Sequence, residues 1–320
     1  MSKGKWGESF LKSGLPLEHL TLMTFRSLGW FCDTHIEYER KNREGDSAWF
    51  ELDMKASYRT NNKDTELSFL VECKYHDLSR FWVFLPHEKS RWHFDDRVLN
   101  IGPLQTLAKP RSSTFLEFAL TSSRGIVVAE DGSKQDNAVY TAIQQLANGF
   151  VPICMSTMFG YNIDFHNVIE GHDFQLHSTA LIPMIVTNAK IYRLKPAVTD
   201  LDIIRKASSP KEIADEIPWT WCYFDPSGSQ LSNNCVSIDK HEEKEKALIY
   251  RYPQVKNSLP EFADRPNWIL VTNIISLQSV IKTISSNFMN LRTIKINNIL
   301  RQQKAKAGKG GDKPKGNLLR

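Results

Sequence analysis

A short stretch of the chain, Ala180–Asn188, reads ALIPMIVTN and is apolar almost throughout. A strand with one solvent-exposed face alternates apolar and polar residues, whereas a strand that is covered on both faces is apolar at nearly every position. This run therefore predicts a strand that is buried on both faces. A membrane span needs about 20 consecutive apolar residues, and no stretch of the chain approaches that length.

Three segments have apolar residues at helical spacing: Leu15–Leu28, Asn137–Asn148 and Leu277–Leu291. Gly29 and Gly149 follow the first two and predict where those helices end. The third helix either packs in the core or forms a dimer surface.

Strand patterns occur on both sides of the apolar run. They lie at Phe31–Glu39, Ala48–Ser57, Leu67–Tyr75, Ile191–Leu194, Trp219–Phe224 and Trp268–Ile275. The turn-forming sequence Asn61–Asp64 predicts a hairpin between the second and third strands. We expect Ile191–Leu194 either to extend the strand at Ala180–Asn188 or to pair with it, and the polar residues 225–245 to be exposed.

The basic charge of the chain is confined to its C-terminal end. The net charge is +5, but residues 301–320 contain seven basic residues and one acidic residue, so the first 300 residues carry about −1. This composition predicts a flexible, disordered tail. The tail either adds salt-sensitive affinity for phosphates or only improves solubility.

The chain lacks the motifs of several common enzyme classes. Its five cysteines are scattered and odd in number, which argues against a zinc finger or a redox pair. No Gly-x-Ser-x-Gly elbow and no phosphate-binding glycine loop occur. No apolar run follows the N-terminal lysines, so we expect no signal peptide and a soluble, cytoplasmic protein.

Three polar residues fall on the predicted hairpin, with Asp53 on its first strand and Glu72 and Lys74 on its second. Because side chains in a strand repeat every two residues, Glu72 and Lys74 share one face while Val71 and Cys73 share the other. Pairing of the two strands brings Asp53 beside Glu72. The sequence therefore predicts two carboxylates and an ammonium group at one point of a sheet.

These groups are the ones that metal-dependent phosphodiester hydrolysis requires. Carboxylate oxygens are preferred ligands of Mg²⁺, which polarises the phosphate and lowers the pKa of a bound water. A lysine can orient or deprotonate that water, or neutralise charge in the transition state. The simpler alternative is a solvated strand face that carries a surface ion pair.

Asp53 followed by Glu72-Cys73-Lys74 resembles the PD-(D/E)xK nuclease signature, most closely that of Mrr-type restriction enzymes and archaeal Holliday-junction resolvases. The resemblance includes Gly14–Glu18 at the start of the first helix and covers about the first 195 residues. One departure is Leu52, which stands where the signature has proline.

The resemblance implies an α/β fold with a restriction-endonuclease-like core: helix, three-strand meander, helix, strand, with a central mixed sheet flanked by helices and a C-terminal α+β extension. It implies Asp53, Glu72 and Glu18 as metal ligands and Lys74 as a further catalytic group, with Mg²⁺ or Mn²⁺ as the cofactor. Gln145 is a candidate auxiliary residue or a solvent-facing glutamine. His76 is likewise a candidate phosphate contact or a surface histidine at a strand end.

The domains expected are a core at 1–195 with an insert at about 76–134, an extension at 196–300 that completes the sheet or forms an interaction surface, and a disordered basic tail at 301–320. The expected function is a Mg²⁺-dependent endonuclease of a prokaryotic, restriction-like antiviral defence system. Its partners would be DNA, with RNA not excluded, and either a second copy of the chain or a defence complex, with no membrane. Two alternatives stay open: a non-catalytic nucleic-acid-binding or assembly module on the same fold, and a repair-type junction resolvase.

Residues that could contact DNA surround the predicted site. The basic ones are Lys55, Arg59, Lys63, Lys74, Arg80, Lys89, Arg91 and Arg97. The aromatic residues Trp82, Trp92 and Phe94 either stack on bases or bury a local insert.

Overall fold

The structure is a computed structural model of the chain. It describes residues 5–41, 46–59, 65–77, 79–87, 121–131, 137–160, 178–226, 228–244, 266 and 268–286. Within these residues, no helix combines the length and the apolar character that are needed to cross a membrane.

The N-terminal part consists of two helices followed by three antiparallel strands. These elements are α1 (Lys5–Lys12), α2 (Leu15–Ser27), β1 (Phe31–Lys41), β2 (Ser47–Arg59) and β3 (Thr65–Lys74). β2 pairs with both β1 and β3 in antiparallel fashion. The predicted first helix and all three strands are therefore present.

The remaining elements alternate strands and helices. They are β4 (Arg80–Pro86), β5 (Thr121–Ala129), α3 (Ala138–Gly160), β6 (Ser178–Thr187), β7 (Lys190–Leu194), α4 (Leu201–Lys206), α5 (Pro210–Ile213), β8 (Ala214–Ile217), β9 (Trp219–Tyr223), α6 (Gly228–Lys244), β10 (Trp268–Asn273), a 3₁₀ turn (Ile274–Ser276) and α7 (277–286).

The described strands form one mixed sheet in the order β1-β2-β3-β6-β10-β9-β5-β4-β7-β8. β6 runs parallel to β3, with pairs from Thr65–Ser178 to Lys74–Thr187. β10 then joins the sheet parallel to β6 and antiparallel to β9. The predicted α/β class, with a large mixed sheet and several helices, is confirmed.

The apolar run predicted as a strand buried on both faces is β6, and this prediction is confirmed. Leu181 and Ile185 belong to a cluster that contains residues of α3 and α6. Ile182, Met184 and Val186 belong to a second cluster, which contains residues of α2 and α7. Helices therefore cover both faces of the sheet, and each face contributes its own apolar layer.

The predicted end of α3 at Gly149 is wrong, because the helix continues to Gly160. Residues 150–155 are all buried, and their packing extends the helix beyond the glycine. A Cβ on Gly149 would lie 2.9 Å from Cε1 of Tyr38 and 3.0 Å from Cδ1 of Leu52. This glycine therefore allows α3 to approach β1 and β2 closely and does not act as a helix stop.

Two further predictions are wrong. β7 neither extends β6 nor pairs with it, since it lies between β4 and β8. Residues 228–244 are not an exposed segment but the helix α6, whose polar side chains are partly buried. Gln230 Nε2 of this helix donates to the carbonyl of Ala147 in α3 at 3.0 Å and to Asn234 Oδ1 within α6 at 2.9 Å.

The last helix, α7, packs in the core. Leu277, Val280, Ile281 and Ile284 are buried in the second apolar cluster. This face is therefore not free to form the dimer surface that was considered for it.

The segments predicted as an insert and as an extension contribute strands to the common sheet. β4 and β5 pair with each other and lie between β9 and β7. Trp82 of β4 is fully buried and does not offer its ring to a base. Trp92, Phe94 and the tail 301–320 lie outside the described residues, and the domain boundaries stay a prediction.

Replacing Gly149 with alanine should lower the free energy of unfolding by about 1 kcal/mol or more, because the added methyl overpacks against Tyr38 and Leu52. Urea denaturation followed by far-UV circular dichroism measures this effect. The control is Gly7→Ala in α1, where nothing lies within 4 Å of an added Cβ. Alanine is the better helix former, so the control should be neutral or stabilising, and equal effects of the two substitutions would contradict the close approach.

Candidate functional site

Asp53 and Glu72 lie near the point where β2 separates from β3. The ladder between the two strands ends at the pair Met54–Val71. Beyond this pair the Asp53 side chain replaces the missing backbone partner, since the N–H of Cys73 donates to Asp53 Oδ2 at 2.6 Å. The carboxylate of Asp53 is thereby fixed against the end of β3.

Glu72 and Lys74 share one face of β3, as the alternation predicts. Lys74 Nζ lies 2.6 Å from Glu72 Oε1, whereas Cys73 Sγ on the other face contacts Thr21 Oγ1 of α2 at 3.6 Å. Glu72 is only 2% exposed, so this pair is not part of a solvated strand face. In the described part of the chain, Glu72 Oε2 is buried and has no hydrogen-bond partner, which costs free energy when the group is charged.

Burial opposes ionisation of both carboxyl groups, and nearby negative charges add to it. Burial, and after it the charge of Asp53, raises the pKa of Glu72 from its ordinary 4.5 to about 7, although Lys74 counteracts this. Burial also raises the pKa of Asp53, against the hydrogen bond from Cys73 and the charge of Lys74. A cation placed between the two carboxylates would relieve the repulsion.

Glu18 approaches the site from α2, which covers the opposite face of the sheet. Partial burial and then the charge of Asp53 raise the pKa of Glu18, and Glu18 in turn contributes to the raised pKa of Glu72. Nevertheless, across the described ranges no three His, Cys, Asp or Glu side chains are grouped so as to hold a metal ion. The role of Glu18 as a third ligand stays a prediction.

The donor pair that the fold does bring together fits a hard divalent cation. Mg²⁺ is commonly bound by one or two carboxylates, with water and substrate oxygens completing its shell. The unpaired buried oxygen of Glu72 is the feature that such an ion would satisfy. Asp53 and Glu72 would hold the ion, and Lys74 stands beside them as a positively charged group.

The segment that follows β3 is anchored to the end of β6 by side-chain hydrogen bonds. Thr187 Oγ1 donates to the carbonyl of Lys74 at 2.8 Å. The N–H of His76 donates to Asn188 Oδ1, and Asn188 Nδ2 donates to the carbonyl of His76, both at 2.7 Å. These bonds fix the backbone that carries Lys74.

Of the two auxiliary candidates, His76 is buried and Gln145 is half-buried. His76 is buried and contacts Trp82 edge-on, with 5.6 Å between the ring centroids, so it is not a surface histidine. Gln145 does not face solvent with its side-chain oxygen: Oε1 is buried and lacks a partner among the described residues. The hydroxyl of Tyr38 donates to the backbone carbonyl of Gln145 at 3.4 Å.

His35 of β1 is the residue near the site that the sequence did not indicate. Its φ of 57° lies in the left-handed region, which among the described non-glycine residues occurs at His35 alone. Its Nδ1 contacts Oε1 of Glu51; this hydrogen bond raises the pKa of His35. The pairs Thr34–Met54 and Ile36–Leu52 place His35 opposite Asp53, so only the register of β1 against β2 could have revealed it.

Part of the predicted basic surface is engaged within the fold. Lys55 Nζ donates to Thr157 Oγ1 of α3 at 3.4 Å, and Arg59 Nε lies 2.7 Å from Glu66 Oε2. Lys63, Lys89, Arg91 and Arg97 lie outside the described residues.

Comparison of the chain with protein-family models, with curated proteins and with solved structures finds no match. The chemistry of the site therefore has to be derived from its own residues.

In metal-free buffer, Glu72 should make stability dependent on pH. A carboxyl group whose pKa is raised by folding stabilises the protein below its unfolded pKa, and this contribution is lost as the pH rises through the folded pKa. For Glu72 these limits are 4.5 and about 7. Because Glu72→Gln cannot ionise, the free energy of unfolding of the variant relative to the wild type should rise by up to about 3 kcal/mol between about pH 5 and about pH 8.

Urea denaturation in EDTA at a series of pH values measures this difference. The control is Glu212→Gln, since hydrogen bonds from Ser208 lower the pKa of Glu212 and its titration is complete below this range. The control difference should stay constant. A constant difference for Glu72→Gln as well would show that Glu72 titrates normally in the folded protein.

The left-handed backbone at His35 predicts that glycine at this position gives a more stable protein than alanine, the opposite of the usual order in a strand. A left-handed φ costs alanine about 1 kcal/mol and glycine almost nothing, so His35→Gly should be more stable than His35→Ala by about that amount. At the exposed Glu37 of the same strand, which lacks a positive φ, glycine should be less stable than alanine. Thermal denaturation of the four variants measures both orders, and the same order at both positions would argue against a left-handed His35.

Proposed function

We propose that the chain is a metal-dependent endonuclease that hydrolyses phosphodiester bonds of DNA. The observation that carries this proposal is the meeting of Asp53 with the Glu72–Lys74 pair at the end of β3, where the N–H of Cys73 lies 2.6 Å from Asp53 Oδ2 and Lys74 Nζ lies 2.6 Å from Glu72 Oε1. Two buried carboxylates beside an ammonium group suit the binding of a divalent cation next to a phosphate.

The order of the elements supports the same proposal. The chain passes from α2 through the β1–β2–β3 meander, then through β4 and β5 to α3, and on to β6, which is parallel to β3. With β4 and β5 as an insertion, this is the order that a PD-(D/E)xK core requires, and Asp53, Glu72 and Lys74 occupy the strands on which that motif carries its acids and lysine. A restriction-endonuclease-like core is therefore part of the proposal, and a role in prokaryotic defence rests on the resemblance to Mrr-type enzymes.

In the proposed reaction each side chain has a separate task. Asp53 and Glu72 would hold the metal ion, with Glu18 as the third candidate ligand, and the ion would act as a Lewis acid and activate a water molecule. Glu72 must be ionised to bind it, so its raised pKa makes metal binding compete with a proton near neutral pH. Lys74, whose backbone is fixed by Thr187, orients the attacking water and neutralises charge that develops on the phosphate.

The experiment is a digest of supercoiled plasmid and of labelled oligonucleotides with Mg²⁺, Mn²⁺ or EDTA. Asp53→Asn, Glu72→Gln and Lys74→Ala should each lower the cleavage rate about 100-fold or more, since each removes a group that acts on the reacting phosphate. The matched control is Glu66→Gln. Glu66 is also a buried glutamate of β3, but it lies at the other end of the strand and binds Arg59, so this variant should cleave at the wild-type rate.

Other outcomes separate the alternatives. Undiminished cleavage by Asp53→Asn would remove the site assignment. Absence of any metal-dependent cutting of DNA or RNA by the wild type, with binding that persists in EDTA, would indicate a non-catalytic binding module. A preference for four-way junctions over linear duplexes would indicate a junction resolvase.

A further inference from the structure

A pocket of about 270 Å³ opens beside the proposed nuclease site. It lies between α1, the turn after β3, the start of β4 and the first residue of α3. Its lining includes Lys12, Lys74, His76, Asp77, Arg80 and Ala138. Lys74 therefore belongs both to the proposed site and to this pocket.

The lining is predominantly cationic. Lys12, Lys74 and Arg80 contribute three positive charges and Asp77 contributes one negative charge, while Glu72, which is not part of the lining, pairs with Lys74. Lys12 Nζ lies 4.0 Å from Asp77 Oδ1, and their side chains are 62% and 50% exposed. Such an exposed pair is weak, so the Lys12 ammonium can bind another anion at little cost.

The helix α3 reinforces this positive potential. Ala138 is its first residue, the helix extends to Gly160, and its first turn contains no acidic residue. The N-terminal end of a helix carries a partial positive charge. The pocket thus combines cationic side chains with the positive end of a long helix.

The wall formed by the turn after β3 is already in place. Its backbone is held by Thr187 and Asn188 through the hydrogen bonds to Lys74 and His76. The N–H of Arg80 donates to the carbonyl of Asp77 at 2.9 Å and closes the turn. An anion that enters the pocket would therefore meet a preformed wall.

We propose that this pocket binds a second phosphate of the nucleic acid, next to the phosphodiester that lies at Asp53, Glu72 and Lys74. The inference rests on the proposed function, because it takes the ligand to be the nuclease substrate. Two sources have the same chemistry. The phosphate is either a terminal monoester at a strand end, which would direct cleavage to ends, or an internal diester of a continuous strand, which would fix the strand across the site.

The test measures binding without cleavage. Fluorescence anisotropy in EDTA compares duplexes and single strands that end in a 5′-phosphate, a 3′-phosphate or a hydroxyl group. The variant is Lys12→Gln, and its matched control is Lys211→Gln. Lys211 is 69% exposed and lies 3.8 Å from Glu216, so the two lysines are equally accessible and similarly paired. Arg80→Gln, with Arg205→Gln as its control, provides a second pair.

A terminal phosphate predicts that the wild type binds one phosphorylated end about threefold or more tightly than the hydroxyl end, and that Lys12→Gln abolishes the difference while Lys211→Gln retains it. An internal diester predicts no end preference. Lys12→Gln should then weaken binding of every duplex about threefold or more at low salt, and should reduce the slope of log affinity against log salt by about 0.9.

Equal affinities and equal salt slopes for Lys12→Gln and Lys211→Gln on all substrates would refute the proposal that the pocket binds a phosphate. Circular dichroism of each variant checks that the fold is intact. Because the readout is binding in EDTA, it does not depend on catalysis. A wild type that binds DNA through Lys12 but never cleaves it would refute the nuclease function and support the phosphate pocket. A wild type that cleaves DNA, with no effect of Lys12→Gln on binding, would support the nuclease function and refute the pocket.

Discussion

The parallel pairing of β3 with β6 is the interaction on which the rest of the structure depends. It joins the N-terminal meander to the middle of the chain through an unbroken register from Thr65–Ser178 to Lys74–Thr187. Because β6 is apolar on both faces, a slip by one residue would exchange one apolar layer for another and would be weakly penalised by burial alone. The polar bonds at the strand ends therefore have a structural role, since those of Thr187 and Asn188 to Lys74 and His76 form in one register only.

The carboxyl groups at the end of β3 are placed at the expense of stability. Glu72 is nearly inaccessible to solvent, has one oxygen without a hydrogen-bond partner within the described residues and lies in the field of Asp53. A left-handed histidine, His35, occurs in the strand next to Asp53. Buried like charges and backbone strain persist only where the surrounding structure holds them in place. Here the surrounding structure is the sheet together with the Cys73 N–H and the Lys74 ammonium.

The extent to which the sequence predicted the fold and the candidate site follows the range of the interactions involved. The shared face of Glu72 and Lys74 depends on the two-residue repeat of a single strand, and it could be read directly. The burial of β6 likewise follows from its own apolar residues, whereas the apolar face of α7 left a core position and a dimer surface equally open. The position of β7 and the role of His35 depend on which strands pair and in which register, and these are set by contacts between distant segments.

Local signals also misled where packing overrides them. Gly149 is the residue type that commonly ends a helix, yet it lies inside α3, where Tyr38 and Leu52 leave no space for a side chain. The polar sequence of α6 suggested exposure, whereas Gln230 and Asn234 satisfy each other in the interior. The residues that fill the space beside Gly149 are distant in the sequence. The partner of Gln230 is one helical turn away, on the buried face of α6.

The place of β10 in the sheet has a consequence for the growing chain. β10 lies between β6 and β9, and through the described residues it is the hydrogen-bonded link between the β1-β2-β3-β6 half and the β9-β5-β4-β7-β8 half. Among the described strands, the one that is synthesised last is thus the one that joins the two halves of the sheet. Until β10 is made, β6 and β9 each have an open edge of the kind that can pair with foreign strands, although the carboxylate-bearing hairpin has already been made.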